Sequence, residues 1–201
     1  MAYISFDPWQ QKEIAVFPEM SDDILDGITD RAWSAFTKWR ALSPAERCRP
    51  VSAMAEIIQQ RRGEIANLMA SEMGKPVTQG LAEAGKCALL CRWYAENAPQ
   101  LLEPERRPSS AQASFVVHEP QGIILGIMPW NFPFWQVFRF IVPAFAGGNA
   151  ALLKHASSVP RCALEIEDIV KRAGFPEGLF RTIYPSHAQV ERLIADSRIR
   201  G

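Results

Sequence analysis

The spacing of apolar residues changes character once along the chain. From Ser21 to Asn97 they recur at helical spacing, and from Gly122 onward they gather into short runs separated by amphipathic stretches. Leu25, Ile28, Ala32, Phe36 and Trp39 share one face of a first predicted helix, with Ser21 as its cap and Asp22 and Asp23 in the first turn, where carboxylates meet the positive end of the helix dipole. Ser43-Pro44-Ala45-Glu46 opens a second helix as a capping box with proline at the first helical position. Pro50 is expected to bend or restart it on its way to Gly63. Helical composition persists through Met73, stops at Gly74-Lys75-Pro76, and resumes from Thr78 to Asn97, ending at Pro99.

A polar, proline-bearing connector follows at Glu103-Pro104-Glu105-Arg106-Arg107-Pro108, and Phe115-Val116-Val117 has strand composition. The pattern then predicts strand (Ile123 to Met128), helix (Phe134 to Ala146), strand (Ala150 to Lys154), helix (Pro160 to Ala173), strand (Phe180 to Tyr184) and helix (His187 to Ala195). Alternation of this kind predicts a parallel sheet covered on both faces, with ligand chemistry outside the carboxyl ends of its strands. The fold class is therefore α/β: an amino-terminal helical segment followed by a βαβαβα unit. The expected divisions are a helical part over 1–103, a connector with an oligomerisation-type strand over 104–121, and half of a dinucleotide-binding domain over 122–201.

Composition narrows the partners. The 201 residues carry 22 Lys+Arg against 22 Asp+Glu, so no broad basic field invites nucleic acid or anionic lipid. The longest uncharged stretch, Pro120 to Phe138, is interrupted by Pro129, Asn131 and Pro133 and reads as strand, turn and helix, not as a membrane span. The first residues lack a basic start and an apolar run, so the expected location is the cytoplasm. Cys48, Cys87, Cys91 and Cys162 read as reduced, buried hydrophobes, and His118, His155 and His187 are too scattered for metal-ligand spacing, so no metal is expected. Gly80 to Cys87 misses a phosphate loop because Cys87 stands where a magnesium-binding hydroxyl is required, and no G-x-G-x-x-G occurs.

Pro129-Trp130-Asn131-Phe132-Pro133 directly follows the first strand of the α/β unit, where such folds present reactive groups. Together with Glu72-Met73-Gly74-Lys75-Pro76, Gly148-Asn149, Lys154 and the run Ala173 to Gly178, it resembles the aldehyde dehydrogenase superfamily over nearly the whole chain. The continuation Phe134-Trp135-Gln136-Val137-Phe138-Arg139 and the segment Lys154-His155-Ala156-Ser157 are similar to the succinate-semialdehyde dehydrogenases. The resemblance implies a Rossmann-like cofactor domain, NAD or NADP as cofactor, an aldehyde substrate with a distal carboxylate, and a homodimer or homotetramer.

Each site position also has a chemical basis. Asn131 carries a neutral amide donor on a short stem, suited to bond the oxyanion formed when a thiolate attacks an aldehyde, the role the family gives it. Its residue type suits equally a cap on the following helix. Arg139 is the sole charge between Glu119 and Lys154 and projects away from the stripe Phe134, Val137, Phe138, Ile141, Val142 and Phe145, beside Trp135. Its planar fork matches a carboxylate, and the resemblance assigns it the distal carboxylate of a semialdehyde; the alternative is a solvated or structurally paired arginine. Phe132 and Trp135 are either walls of a substrate tunnel or core. Lys154, at a strand end, is either a surface lysine or, as in the family, the group that reaches the adenosine ribose or a 2′-phosphate. Ser157 stands where many NAD-preferring relatives carry glutamate, so a 2′-phosphate meets no repulsion there. By the same resemblance Ile127, Met128, Pro129 and Trp130 line the nicotinamide side.

The family mechanism also needs a cysteine nucleophile in a Gly-rich segment, a glutamate base and a glycine turn for the pyrophosphate, and these residues supply none of them. The chain is accordingly expected to be the amino-terminal part of a longer enzyme, without its catalytic domain and inactive alone. The rival expectation is a non-catalytic, truncated paralogue that binds a partner through its open sheet edge or mixes into oligomers. A related reductase of acyl phosphates would forgo the role of Asn131.

Overall fold

The computed structural model describes residues 2–201. The extended start is an antiparallel hairpin of β1 (Tyr3–Asp7) and β2 (Lys12–Phe17). Four helices follow: α1 (Asp22–Trp39), α2 (Pro44–Gln60), α3 (Arg62–Met73) and α4 (Val77–Leu101). A short exposed ribbon pairs β3 (Glu105–Arg106) with β4 (Phe115–Val116), and then come β5 (Ile123–Met128), α5 (Trp135–Ala146), β6 (Ala150–His155), α6 (Pro160–Arg172), β7 (Phe180–Thr182) and α7 (His187–Ala195).

The expected βαβαβα unit is present, and its strands pair in parallel in the order β5-β6-β7. On the free side of β5, Ile199 forms a parallel bridge to Ile123, and Leu125 N–H donates to the Gly201 carbonyl at 2.7 Å. The connection that leaves β7 therefore returns to the opposite flank of β5. Strand order reverses at β5, and in open α/β sheets the crevice beyond the carboxyl ends at such a reversal is where ligands bind.

One hydrophobic core joins the helical segment to the sheet: Phe36 of α1, Met54 of α2, Ile65 of α3 and Cys87 of α4 belong to the same buried cluster as Phe138, Leu152 and Ile166. Burial on both faces accounts for the nearly continuous apolar run of β6. At Gly126 of β5 an added Cβ would lie 2.3 Å from the Phe140 ring, so α5 can settle this closely on the strand only because residue 126 has no side chain.

Several element ends differ from expectation. Helix α2 continues through Pro50 and breaks at Arg61, before Gly63, and α4 continues through Pro99 to Leu101. A proline removes one donor and disfavours its own i−4 neighbour, but tertiary packing outweighs this where the helix face is as deeply buried as Val51, Met54 and Ala55. Strand β7 stops at Thr182, two residues short of Tyr184, because its registered partners are only Ala151 to Leu153 of β6. Helix α6 ends at Arg172, one residue before Ala173, and β6 extends one residue further, to His155.

Candidate active site

Residues 129–134 link the end of β5 to α5, and prolines at 129 and 133 deprive this segment of two main-chain donors. Three buried side chains from elsewhere hold what remains. Lys75 Nζ donates to the Asn131 carbonyl at 3.0 Å. Glu83 Oε1 accepts from both Phe134 N–H and Trp135 N–H at 2.9 Å, while Glu83 Oε2 pairs with Lys75. His155 Nε2 bonds the Pro133 carbonyl at 2.9 Å.

Each anchor is itself fixed by the local fold. Lys75 sits in the turn between α3 and α4, where Gly74 closes α3 in the left-handed conformation at φ 72°. Glu83 lies on the buried face of α4 with Gly80, Ala84, Cys87 and Cys91. The side chains of Lys75 and Glu83 are only 5% and 1% exposed, so their ion pair sits in a medium where an unpaired charge would be expensive. The desolvation is offset because both charges are matched and the positive end of the α5 dipole faces the carboxylate. His155 Nδ1 accepts from Ala156 N–H at 2.8 Å, which places the ring proton on Nε2 as donor to Pro133. Burial lowers the His155 pKa to about 4, so this imidazole is neutral at pH 7.

Asn131 is not the cap of α5. The helix begins at Trp135, and the amides of Phe134 and Trp135 belong to Glu83. The Asn131 side chain is exposed and makes no hydrogen bond among the described residues, although its own carbonyl is held. Beside it opens a cleft of about 310 Å³ lined by Lys75, Gln79, Glu83, Lys86, Phe132 and Trp135, among others. Phe132 is 45% exposed, with Lys75 Nζ 4.0 Å from its ring centre, and Lys86 Nζ stands 3.8 Å over the Trp135 ring. Both rings line the cleft, Phe132 as an exposed wall and Trp135 as a half-buried one that also packs against the main hydrophobic core. Arg139 lies one helical turn beyond Trp135, outside the lining of this cleft, exposed and without a carboxylate partner among the described residues. Lys86 likewise has no carboxylate partner there, whereas Lys75 and Glu83 neutralise each other.

On the other side of the loop, the parallel register sets Ile127 beside Lys154 and Met128 beside His155. Ile127 and Trp130 are about half exposed at 50% and 54%, and Pro129 is exposed with them, an uncovered apolar rim at the strand ends. Lys154 is half-buried, with Nζ 5.6 Å from the Tyr3 ring centre, and burial draws its pKa below the usual lysine range. Ser157 is exposed in the loop after β6, where its carbonyl accepts from Ile4 N–H at 3.0 Å and ties the amino-terminal hairpin down. Ile127 and Met128 at the end of β5 thus lie in register beside Lys154 and His155 at the end of β6, while Pro129 and Trp130 follow β5, and Ser157 follows β6, within two residues.

None of the four cysteines has the character of a nucleophile. All are buried, and burial pushes the thiols of Cys48, Cys87, Cys91 and Cys162 above the usual range, so thiolate is suppressed in each. Cys162 lies in the first turn of α6, where its amide and that of Arg161 are capped by Glu72 at 2.8 and 2.9 Å.

The anchors Lys75, Glu83, Glu72 and His155 were not singled out for these roles by sequence reasoning. The available signal was a glutamate inside an otherwise apolar helical face: Glu83 among Gly80, Ala84, Cys87 and Cys91, and Glu72 after Ile65, Ala66 and Met69. A carboxylate on a buried face requires partners, and here those partners are helix ends distant in sequence.

Comparison with known proteins identifies the family and the fold. The sequence profile of the aldehyde dehydrogenase family matches residues 2–201. A probable NADP(+) succinate-semialdehyde dehydrogenase of Synechocystis sp. is 44% identical over 201 residues, covering 100% of this chain and 44% of that protein. NADP(+) succinate-semialdehyde dehydrogenase 1 of Mycobacterium bovis is 40% identical over 202 residues, covering 99% of this chain and 44% of that protein. The crystal structure of succinic semialdehyde dehydrogenase from Streptococcus pyogenes in complex with NADP+ superposes with a TM-score of 0.96 at 32% identity, over 100% of this chain and 44% of that one. The chain thus spans less than half the length of the relatives it matches.

Proposed function

Because the chain belongs to the aldehyde dehydrogenase family, we propose that it forms the amino-terminal part of an NADP- or NAD-dependent enzyme that oxidises succinate semialdehyde, or a similar aldehyde with a distal carboxylate, to the acid. The observation that carries this reading is the contrast at residue 131. Its main chain is held from below, and its side-chain amide is left free at the strand-order reversal.

In this reading a cysteine thiolate from outside these residues attacks the aldehyde carbon, and the Asn131 amide donates to the oxygen on which negative charge collects. A bound dinucleotide would supply the acceptor for the hydride that leaves that carbon, and water would then convert the thioester to the acid. Lys154 and Ser157 would hold the adenosine ribose and its 2′ substituent, and the exposed rim of Ile127, Met128, Pro129 and Trp130 would face the nicotinamide. The absence of a carboxylate partner for Lys154 among the described residues suits a 2′-phosphate. Phe132 and Trp135 would wall the substrate cleft and Lys86 would add positive charge there, with Arg139, one helical turn further along α5, receiving the distal carboxylate.

The exposed Phe115, Val116 and Val117 of the β3–β4 ribbon are the surface proposed for homodimer or homotetramer assembly, in the cytoplasm. The substrate class is tested by comparing succinate semialdehyde with butanal in the full-length enzyme and its Arg139→Ala variant. The expected result is a loss of kcat/KM of at least tenfold on the charged substrate and little change on butanal. An unchanged preference for the charged aldehyde would remove Arg139 from the assignment.

A further inference from the structure

The buried Lys75–Glu83 pair has no part in the chemistry just described, yet its side-chain hydrogen bonds among the described residues are all made within the pair or to the main chain of residues 131–135. We infer that Lys75 and Glu83 are positioning residues that fix the Asn131 amide by holding its own carbonyl and the backbone that follows it, an inference that rests on the oxyanion role proposed for Asn131.

The geometry favours a positioning role over a purely structural one in three respects. Lys75 bonds the carbonyl of residue 131 itself, so it sets the orientation of the peptide plane from which the catalytic side chain springs. Glu83 fixes the two amides just beyond, at 134 and 135, so the segment is held at two points with Phe132 and Pro133 between them. The same ammonium also lies 4.0 Å from the Phe132 ring centre, tying the cleft wall to the clamp. The clamp is itself rigid: Lys75 stands between the left-handed Gly74 and Pro76, and Glu83 is buried in the second turn of α4. A displacement of about 1 Å at a reacting group can cost on the order of a hundredfold in rate, so a donor on a proline-flanked loop requires support of this kind.

The test is a double-mutant cycle in the full-length enzyme. Removing both charges together, Lys75→Met with Glu83→Gln, avoids stranding one buried ion, and the glutamine carbonyl can still accept from the α5 amides. If this pair acts through Asn131, the double substitution lowers kcat at least tenfold in the wild-type background and less than twofold in the Asn131→Ala background, with the KM for dinucleotide unchanged in both. Equal fold losses in the two backgrounds, while Asn131→Ala alone costs about a hundredfold, would overturn the positioning role and leave the oxyanion reading intact. Should Asn131→Ala alone leave kcat unchanged, the oxyanion reading falls and the inference falls with it. Where the double substitution prevents folding, as judged by circular dichroism, Lys75→Arg, which keeps the charge pair but alters the reach to the Asn131 carbonyl, runs the same cycle with the same two outcomes.

Discussion

Five of the helices have their first amides bonded by a side chain, and they do so in two different ways. Helices α1, α2 and α7 are capped from within their own sequence, by Ser21, Ser43 and Ser186, the last two as complete capping boxes with Glu46 and Gln189. Helices α5 and α6 flank the strand ends of the site, and neither has a side-chain cap of its own; their first amides are bonded by Glu83 and Glu72, which come from the helical segment. A local cap stabilises one helix. A remote cap also fastens one part of the molecule to another, and here it does so at the loop that carries Asn131.

This contrast can be broken by measuring what each anchor contributes in the full-length protein. The largest effect is expected for Glu83→Ala, which leaves the Lys75 charge buried and two amides unpaired: a loss of about 3–5 kcal/mol by chemical denaturation, or failure to fold. A loss below 1 kcal/mol would mean the pair is not the anchor described.

The next largest is the pH dependence set by His155. Its folded pKa, about 4, lies below the unfolded value near 6.5, so the unfolded chain takes up the proton first as pH falls. The neutral-histidine contribution is complete above pH 6.5 and is lost between 6.5 and about 4, on the order of 3 kcal/mol in all. Denaturation midpoints in His155→Phe should lack this part of the acid slope; an identical slope in the variant would assign it elsewhere.

The sharpest form of the comparison sets Glu72→Ala against Ser43→Ala. Glu72→Ala unpairs the Arg161 and Cys162 amides at a buried helix start and is expected to cost about 1–3 kcal/mol, against about 1 kcal/mol or less for the exposed Ser43 box. If thermal unfolding ranks Ser43→Ala as the more damaging, remote capping carries no special weight.

The same distinction explains what could be read from the sequence. Local signals placed the caps at Ser21 and Ser43, and the apolar stripe from Phe134 to Phe145 and all three parallel strands followed from periodicity, because their determinants lie within a few residues. No new helix starts at Pro50 and α4 runs on past Pro99 to Leu101, since burial along α2 and α4 outweighs a local breaker. At the site, Asn131 and its flanking aromatic residues were legible from a contiguous motif. Lys75, Glu83 and His155 were not legible as its supports, because their partners lie 56, 51 and 22 residues away in the chain. Whether residue 131 caps α5 was likewise undecidable from the sequence, because the Glu83 carboxylate that holds the α5 amides comes from a distant helix.

The central claim is that the Asn131 amide stabilises negative charge on the aldehyde oxygen. Steady-state kinetics of Asn131→Ala in the full-length enzyme, with dinucleotide affinity measured alongside, tests it most directly. The account predicts a fall in kcat of roughly a hundredfold or more, about 3 kcal/mol of transition-state stabilisation, with dinucleotide binding unchanged. A variant that turns over at the wild-type rate would contradict it.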